Sequence, residues 1–372
     1  MTPSPSDSVG DAGGAVEKQL HVGALTTAQL TAWAQARGAS AEAARLLARQ
    51  LVGRFAGRSL ELHPSHRLVS LATAHIRDAV PVVVASPAAD GTVRYAVHFQ
   101  DGALVEAVAI LHPERTTVCL STQAGCARGC LFCETGRLGL SRNLSTEEIS
   151  GQFAAVARAL AAEGKPAPTN IVFMGMGEPL DNLDAVLGAC DVLSDTCGFG
   201  IAPRRITVST VGVVPKMREF HRRARVRLAV SLHAANDEER RALLPIARSW
   251  DLAELRAAIA EARNSVFLQW TLIAGANDSE RHARELLAFC AGLDVRVNLI
   301  PLNPGPEETL RAPPMERVRA FQKWLSDAGI RTLVRMPHGQ EVGGACGQLA
   351  GSLRQRPELK PRLPVVGRRQ VC

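Results

Sequence analysis

Aromatic residues are scarce: they make up 4% of the chain, with a single tyrosine. That scarcity argues against a platform of stacked rings as the main means of holding single-stranded bases. Long apolar runs are missing too, and no stretch approaches the ~18 residues that a membrane span needs. The opening MTPSPSDSVGDAGGA has neither the basic start nor the apolar segment of a secretory signal. It reads as a disordered leader, and a cytoplasmic location without membrane attachment is the expectation. The nine cysteines are odd in number, and Cys119, Cys126, Cys130 and Cys133 fall within fifteen residues. A disulfide framework would spread them, whereas a metal site clusters them.

What remains is a chain of 372 residues, 46% hydrophobic and 21% charged, long enough for one large α/β domain and a smaller unit. A net charge of +7 suits a polyanionic partner without demanding one. LTTAQLTAWAQARGAS and AEAARLLARQLVGRF read as two amphipathic helices, with loose capping signals at Thr27 and Ser40. VRYAVHFQDGALVEAVAI contains two alternating runs that meet at Asp101-Gly102, a hairpin signal.

From Thr117 the pattern becomes a repeat of short β-branched runs and helical stretches. The runs are TTVCLST, NIVFMGM, RRITVST, VRLAVSL, VFLQWTL, VRVNLIP and RTLVRMP. Such βα units imply a parallel sheet, either a partial or full (β/α) barrel or a doubly wound open sheet. Ser145-Thr-Glu-Glu148 is a capping box that starts the first of these helices. The end of the chain, rich in proline and arginine, reads as an extended basic tail.

The strongest signal is Cys126-Ala-Arg-Gly-Cys130-Leu-Phe-Cys133, directly after the first of these runs. Three thiolates on one short loop can hold three irons of a 4Fe–4S cube and leave the fourth iron open. A three-cysteine zinc site is the alternative, though zinc loops more often pair two cysteines with distant ligands.

The C-x3-C-x2-C loop resembles that of the radical S-adenosylmethionine (AdoMet) superfamily. A longer set, CLSTQAGCARGCLFCETGRLGLSRNLS with MGMGEPLDN, RRITVSTVGVVP, AVSLHAANDEERRALLPI, NLIPLNP and GGACGQLAG, resembles the RlmN/Cfr-like RNA adenine methyltransferases over Gly102 to Gly351. The resemblance implies a partial (β/α) barrel of the radical AdoMet type over 113–351. A disordered leader at 1–20, a small helical N-terminal domain at 21–75 and a β-hairpin region at 76–112 would precede it, and a basic tail at 352–372 would follow. It implies a 4Fe–4S cluster on Cys126, Cys130 and Cys133, with AdoMet held by Gly177, Glu178, Ser209, Ser231, Leu232, His233 and Asn303.

The same resemblance gives Cys346 the role of methyl carrier. One AdoMet methylates its sulfur, and a second yields the radical that activates that methyl group for addition to adenine. Cys119 then releases the product through a transient Cys119–Cys346 disulfide, with Glu106 as the base. The implied substrate is RNA, 23S ribosomal RNA and also transfer RNA, methylated at adenine C2 in preference to C8. A flavodoxin or ferredoxin would donate electrons to a monomeric enzyme. Cys190, Cys197, Cys290 and Cys372 match no family role. The chain departs from the family pattern at Glu134, Gln269, His338 and Gln340. Two alternatives stay open: a non-catalytic, cluster-containing RNA-binding paralogue, and a methylase of a non-RNA heteroaromatic substrate.

Overall fold

The computed structural model describes residues 19–58, 60, 62, 64–303 and 309–349. Most of the expected leader and all of the expected basic tail lie outside the described residues. The chain opens with β1 (Leu20–His21), α1 (Thr27–Gln35), α2 (Ala41–Phe55), α3 (His66–His75) and β2 (Ile76–Arg77), where β1 and β2 pair in parallel. The N-cap of α1 is Thr26, one residue before the expected signal, and it closes a full capping box with Gln29. Ser40 caps α2 as its position suggests. The third helix carries no comparable cap, and its short buried stripe of Leu68 and Ala72 leaves little periodicity to read.

These helices close over a core of Val22, Leu30, Leu47, Leu51, Val52 and Phe55 that continues into Ala154 of the main body. The Asp195 carboxylate accepts from the Thr27 hydroxyl, Arg58 donates to the Gly198 carbonyl at 2.7 Å, and Phe55 meets Phe199 edge-on.

The hairpin region is larger than the sequence suggested. β3 (Val82–Pro87) precedes the expected pair, β4 (Val93–His98) and β5 (Leu104–His112), and all three run antiparallel. Val82-Val-Val-Ala lacks alternation because β3 is an edge strand whose residues are exposed or half-buried with none fully buried, so no polar period marks it.

The main body then runs β6 (Arg115–Cys119), β7 (Gln123–Cys126), α4 (Glu134–Arg137), β8 (Gly139–Asn143), α5 (Thr146–Ala162), β9 (Asn170–Phe173) and α6 (Leu183–Ser194). It continues with β10 (Ile206–Thr210), α7 (Val214–Arg223), β11 (Arg227–Ser231), α8 (Asp237–Leu243), α9 (Leu252–Ala260), β12 (Val266–Leu272) and α10 (Glu280–Cys290). It ends with β13 (Val295–Pro301), α11 (Met315–Asp327) and β14 (Thr332–Val334). All seven β-branched runs become strands of one sheet, ordered β14-β13-β12-β11-β10-β9-β6-β5-β4-β3.

The parallel strands follow one another without a reversal of order. Right-handed crossovers in a single direction put every crossover helix on the same face of the sheet, which excludes the doubly wound alternative. The other face is left as a concave interior, and β3 and β14 stand as edges of an open, barrel-like sheet. Period-two alternation decides what points where. In β10, Ile206, Val208 and Thr210 are buried, while Thr207 and Ser209 face the interior.

Candidate functional site

The concave interior holds two cavities in series, of about 160 and about 510 Å³. They share Met174, Gln269, Ile300, Asn303 and Cys346 as a common wall. The smaller cavity lies at the C-terminal ends of the parallel strands, where such folds build their sites. Cys126, Cys130 and Cys133 reach it from the loop after β7, together with Gly177, Glu178, Ser209, Ser231, His233 and Asn303. Leu232 does not line it: its side chain belongs to the main core, and its N–H donates to the Gln269 carbonyl at 3.0 Å.

The cluster loop is braced on several sides. Gly125 has φ +83, and a Cβ there would meet the Gly139 carbonyl oxygen at 1.9 Å, so only glycine lets β7 and β8 close at this point. Arg128 reaches over to Asp181, its Nε 2.7 Å from the carboxylate. Ser145 and Glu148 form the expected capping box, and Glu148 also binds Arg142. Burial pushes the Cys126 thiol up to about 11, and it raises those of Cys130 and Cys133 as well, with the Cys133 sulfur adding to the shift at Cys126, the Cys133 and Cys126 sulfurs to that at Cys130, and Glu134 to that at Cys133. Metal coordination offsets this cost by supplying positive charge to thiolates.

Among the described residues, the one trio of potential ligands gathered within 4.8 Å is Glu239, His282 and Glu285, on the outer helices. The three loop thiols therefore stand wider apart than the ligands of one zinc ion. A cube that takes one thiolate at each of three corners fits that wider spacing.

Glu178 follows β9 and Gly177, whose φ of +101 and contact with Gln123 leave no room for a side chain. Its carboxylate accepts from the Leu180 and Val211 N–H groups, both at 2.9 Å. Burial still dominates and raises its pKa to about 7. An ammonium group placed beside it would favour the charged form, so the residue fits the amino end of AdoMet.

His233 holds φ 60, an uncommon conformation for a non-glycine residue. Its Nδ1 accepts from the Thr271 N–H at 2.9 Å, and its ring packs edge-on to Phe132 at 4.9 Å. Burial and the Arg240 guanidinium lower its pKa to about 3, so the ring is neutral, with its remaining hydrogen on Nε2.

Cys346 sits in the wall between the cavities, held from three sides. The Glu134 N–H donates to the Gly347 carbonyl at 2.8 Å, and the Thr135 hydroxyl to the Leu349 carbonyl at 3.0 Å. The Asn303 amide donates to the Cys346 carbonyl at 3.0 Å, and its own oxygen accepts from Gln340 at 2.9 Å. Across the sheet, Asp90 in the β3–β4 turn binds the Gly339 N–H and His338, while Glu341 accepts from the Ala89 N–H. His338 and Gln340, read from the sequence as departures from the family pattern, are thus among the residues that fasten this loop. Gln269, a third, is buried in the shared wall.

Cys119 lines the larger cavity with Cys346, and both are free thiols. Burial, with the Cys346 sulfur as second cause, pushes the Cys119 thiol up to about 12. Glu106 does not line either cavity. It is buried on β5, its carboxylate 2.8 Å from the Arg94 guanidinium. Cys190 and Cys290 lie in the core and Cys197 is exposed, away from both cavities, while Cys372 lies outside the described residues.

Comparison with known proteins bears on this geometry. Residues 120–290 match the model of the Radical SAM superfamily. A probable RNA methyltransferase of Sorangium cellulosum is 51% identical over 73% of this chain and 69% of its own length. The dual-specificity RNA methyltransferase RlmN of Syntrophobacter fumaroxidans is 42% identical over 87% of this chain and 96% of its own. The crystal structure of a radical SAM methyltransferase from Sphaerobacter thermophilus superposes with a TM-score of 0.79 at 38% identity, covering 89% of this chain and 99% of that one. Among the described residues no helix is long and apolar enough to cross a membrane. The three cysteines on one loop, the buried carboxylate beside them and the relatives agree: this chain belongs to the RlmN family of radical AdoMet RNA methyltransferases, enzymes that work with a 4Fe–4S cluster and AdoMet.

Proposed function

We propose that this enzyme methylates C2 of adenine in RNA, with 23S ribosomal RNA and transfer RNA as substrates, through a methyl group carried on Cys346. The observation that carries this reading is the place of Cys346 in the one wall shared by a thiol-lined cavity and a second, larger chamber that also holds Cys119. A sulfur there faces the cofactor on one side and a substrate base on the other. AdoMet and the cluster, when bound, supply the methyl group and the hydrogen abstraction that activates it.

The protein's part is to receive, hold and release. Cys346 takes the methyl group as a thioether and then holds the adenine covalently through that carbon. The adenine C2 proton leaves to a base, the role assigned to Glu106, which requires its Arg94 pairing to open towards the chamber. Cys119, giving up its proton, attacks the Cys346 sulfur and forms the S–S bond as the bond between that sulfur and the methylene carbon breaks; the carbon leaves with the electron pair and takes up a proton to become the new methyl group. Burial keeps the Cys119 thiol protonated at rest, so it must give up its proton as it attacks.

The test is an asymmetry between two cysteine variants. Cys346→Ala accepts no methyl group and forms no RNA adduct. Cys119→Ala accepts the methyl group and stalls with RNA attached through Cys346, as intact mass spectrometry after turnover would show. Release of methylated RNA by Cys119→Ala at the normal rate refutes the relay. Nucleoside mass spectrometry of the product separates C2 from C8.

A further inference from the structure

The larger chamber has a charge pattern unlike the rest of the molecule. Arg115, Arg204, Arg205, Arg227 and Arg335 line it, and no aspartate or glutamate does. On the outer helices several arginines are paired with carboxylates: Arg218 with Glu261, Arg223 with Glu219 and Asp184, Arg281 with Glu239 and Glu285. Among the described residues, none of the five chamber arginines forms an ion pair with a carboxylate. Converging like charges repel, and a cleft with low-dielectric walls focuses their field. An arrangement of this kind is at ease only with anions present.

Position adds a second argument. Arg115 and Arg227 are the first residues of β6 and β11, and Arg204 and Arg205 immediately precede β10. Four of the five thus stand at the N-terminal ends of the parallel strands, the end opposite the cluster loop. That end is ordinarily a plugged, structural one in such folds. Here it opens into the chamber. Arg227 lies over the Phe267 ring at 5.6 Å, which braces its flat face, and Arg335 donates from Nε to Asn298 at 3.3 Å. Guanidinium forks of this kind match phosphate oxygens in pairs. The segment that carries Arg204 and Arg205 begins at Asp195 and Gly198, the two residues that fasten the N-terminal helices. A chain bound to those helices would be led to the same rim.

Resting on the RNA reading above, we infer that Arg115, Arg204, Arg205 and Arg227 form a phosphate-gripping rim, with Arg335, next to the C-terminal end of β14, adding its charge to the chamber they open on. It holds the RNA backbone on either side of the target adenosine, so that the base enters from the strand N-termini while AdoMet occupies the opposite end. Phosphate contacts of this kind set register and carry no sequence information, so base choice is left to the chamber wall.

The test measures binding of a short, fluorescein-labelled single-stranded RNA to the full enzyme across a salt series. Arg204→Gln with Arg205→Gln, and Arg115→Gln with Arg227→Gln, should each weaken binding about tenfold and lower the salt slope by about 0.7 per lost phosphate contact. Arg218→Gln with Arg223→Gln removes equal charge from two already paired residues on an outer helix and is the control. Thermal melting and the visible absorbance of the cluster check that each variant is folded. A second arm replaces the phosphates flanking the target adenosine with uncharged methylphosphonates. That change should weaken binding to the wild type and add little to the fourfold arginine variant, because both remove one interaction. The rim is overturned if the arginine variants lose no more affinity than the control, or if the methylphosphonate penalty is the same in both proteins. A wild type that binds this RNA with the expected slope and methylates none overturns the proposed function and leaves the rim standing.

Discussion

The two cavities on the concave face are built from the same strands and solve opposite problems. The smaller one takes up buried groups whose charge is suppressed: a carboxylate raised to about 7, thiols raised by burial and a histidine lowered to about 3. The larger one is lined by five arginines with no ion-paired carboxylate among the described residues. One end waits for charged cofactors to complete it, and the other is charged in advance for a polyanion. A single β-strand register serves both, because residues two apart on one strand reach the two cavities in turn, as Thr207 and Ser209 do.

The largest effect that separates the two ends comes from the cluster thiols. Cys126→Ala, Cys130→Ala and Cys133→Ala should each remove the brown colour and all measurable AdoMet cleavage, while RNA affinity stays within about twofold, since none of the chamber arginines lies on their loop. A colourless variant that still cleaves AdoMet would break the division of labour.

A smaller effect should come from Gln340, through the wall. The Cys346 carbonyl can only accept, so Asn303 must offer it the NH2 group and turn its oxygen to Gln340, which must then donate. Gln340→Glu keeps the shape and cannot donate when ionised. The Asn303 amide is then drawn to turn its NH2 group towards the new carboxylate, away from Cys346. Loss of one such bond, at about 1–3 kcal/mol, should slow methylation of Cys346 about tenfold or more and speed hydrogen exchange at 344–347. Unchanged exchange and an unchanged methylation rate would mean that Asn303 does not hold the loop.

Below that comes the Arg94–Glu106 pair. Arg94→Met should destabilise the fold by about 3 kcal/mol, because it takes the guanidinium away from a buried carboxylate, and the double change with Glu106→Met should recover most of that stability. Urea unfolding of the three proteins measures it.

How much of this was legible in the sequence follows the same division. The cluster loop stood out by the spacing of its three cysteines, whereas Gly177-Glu178, Ser209, Ser231 and Asn303 were singled out only through the resemblance to the RNA methyltransferases. The seven strands were legible because β-branched runs repeat at a regular interval, and the sequential order of those strands decided between the two candidate architectures. The edge strand β3 escaped because Val82-Val-Val-Ala has no period, and α3 because its apolar stripe is short. The arginine rim escaped for another reason. Its members are single or paired basic residues at or next to the ends of separate strands, and only the assembly of the sheet brings them together. Arg94 and Glu106 likewise read as polar alternation on a hairpin until folding buries them against each other.

The smallest predicted effect concerns the neutrality of the cofactor end. His233 is uncharged in the fold because burial and Arg240 lower its pKa from 6.5 to about 3. In the unfolded chain it takes up a proton below pH 6.5, so acid favours the unfolded state. The stability it contributes is complete above the unfolded value and is lost progressively as pH falls from 6.5 towards 3. Between pH 7.5 and 5.5 that loss is about 1 kcal/mol for this one residue. Asparagine tolerates the left-handed backbone at this position and does not titrate, so His233→Asn keeps the chain path and removes the proton uptake. The difference in urea midpoint between the two pH values should narrow in His233→Asn relative to the wild type. Removal of the rim arginines, charged in both states, should leave that difference alone. An equal pH dependence in His233→Asn and the wild type would mean that the ring is already protonated in the folded protein, and the cofactor end would then carry the positive charge that its burial is built to exclude.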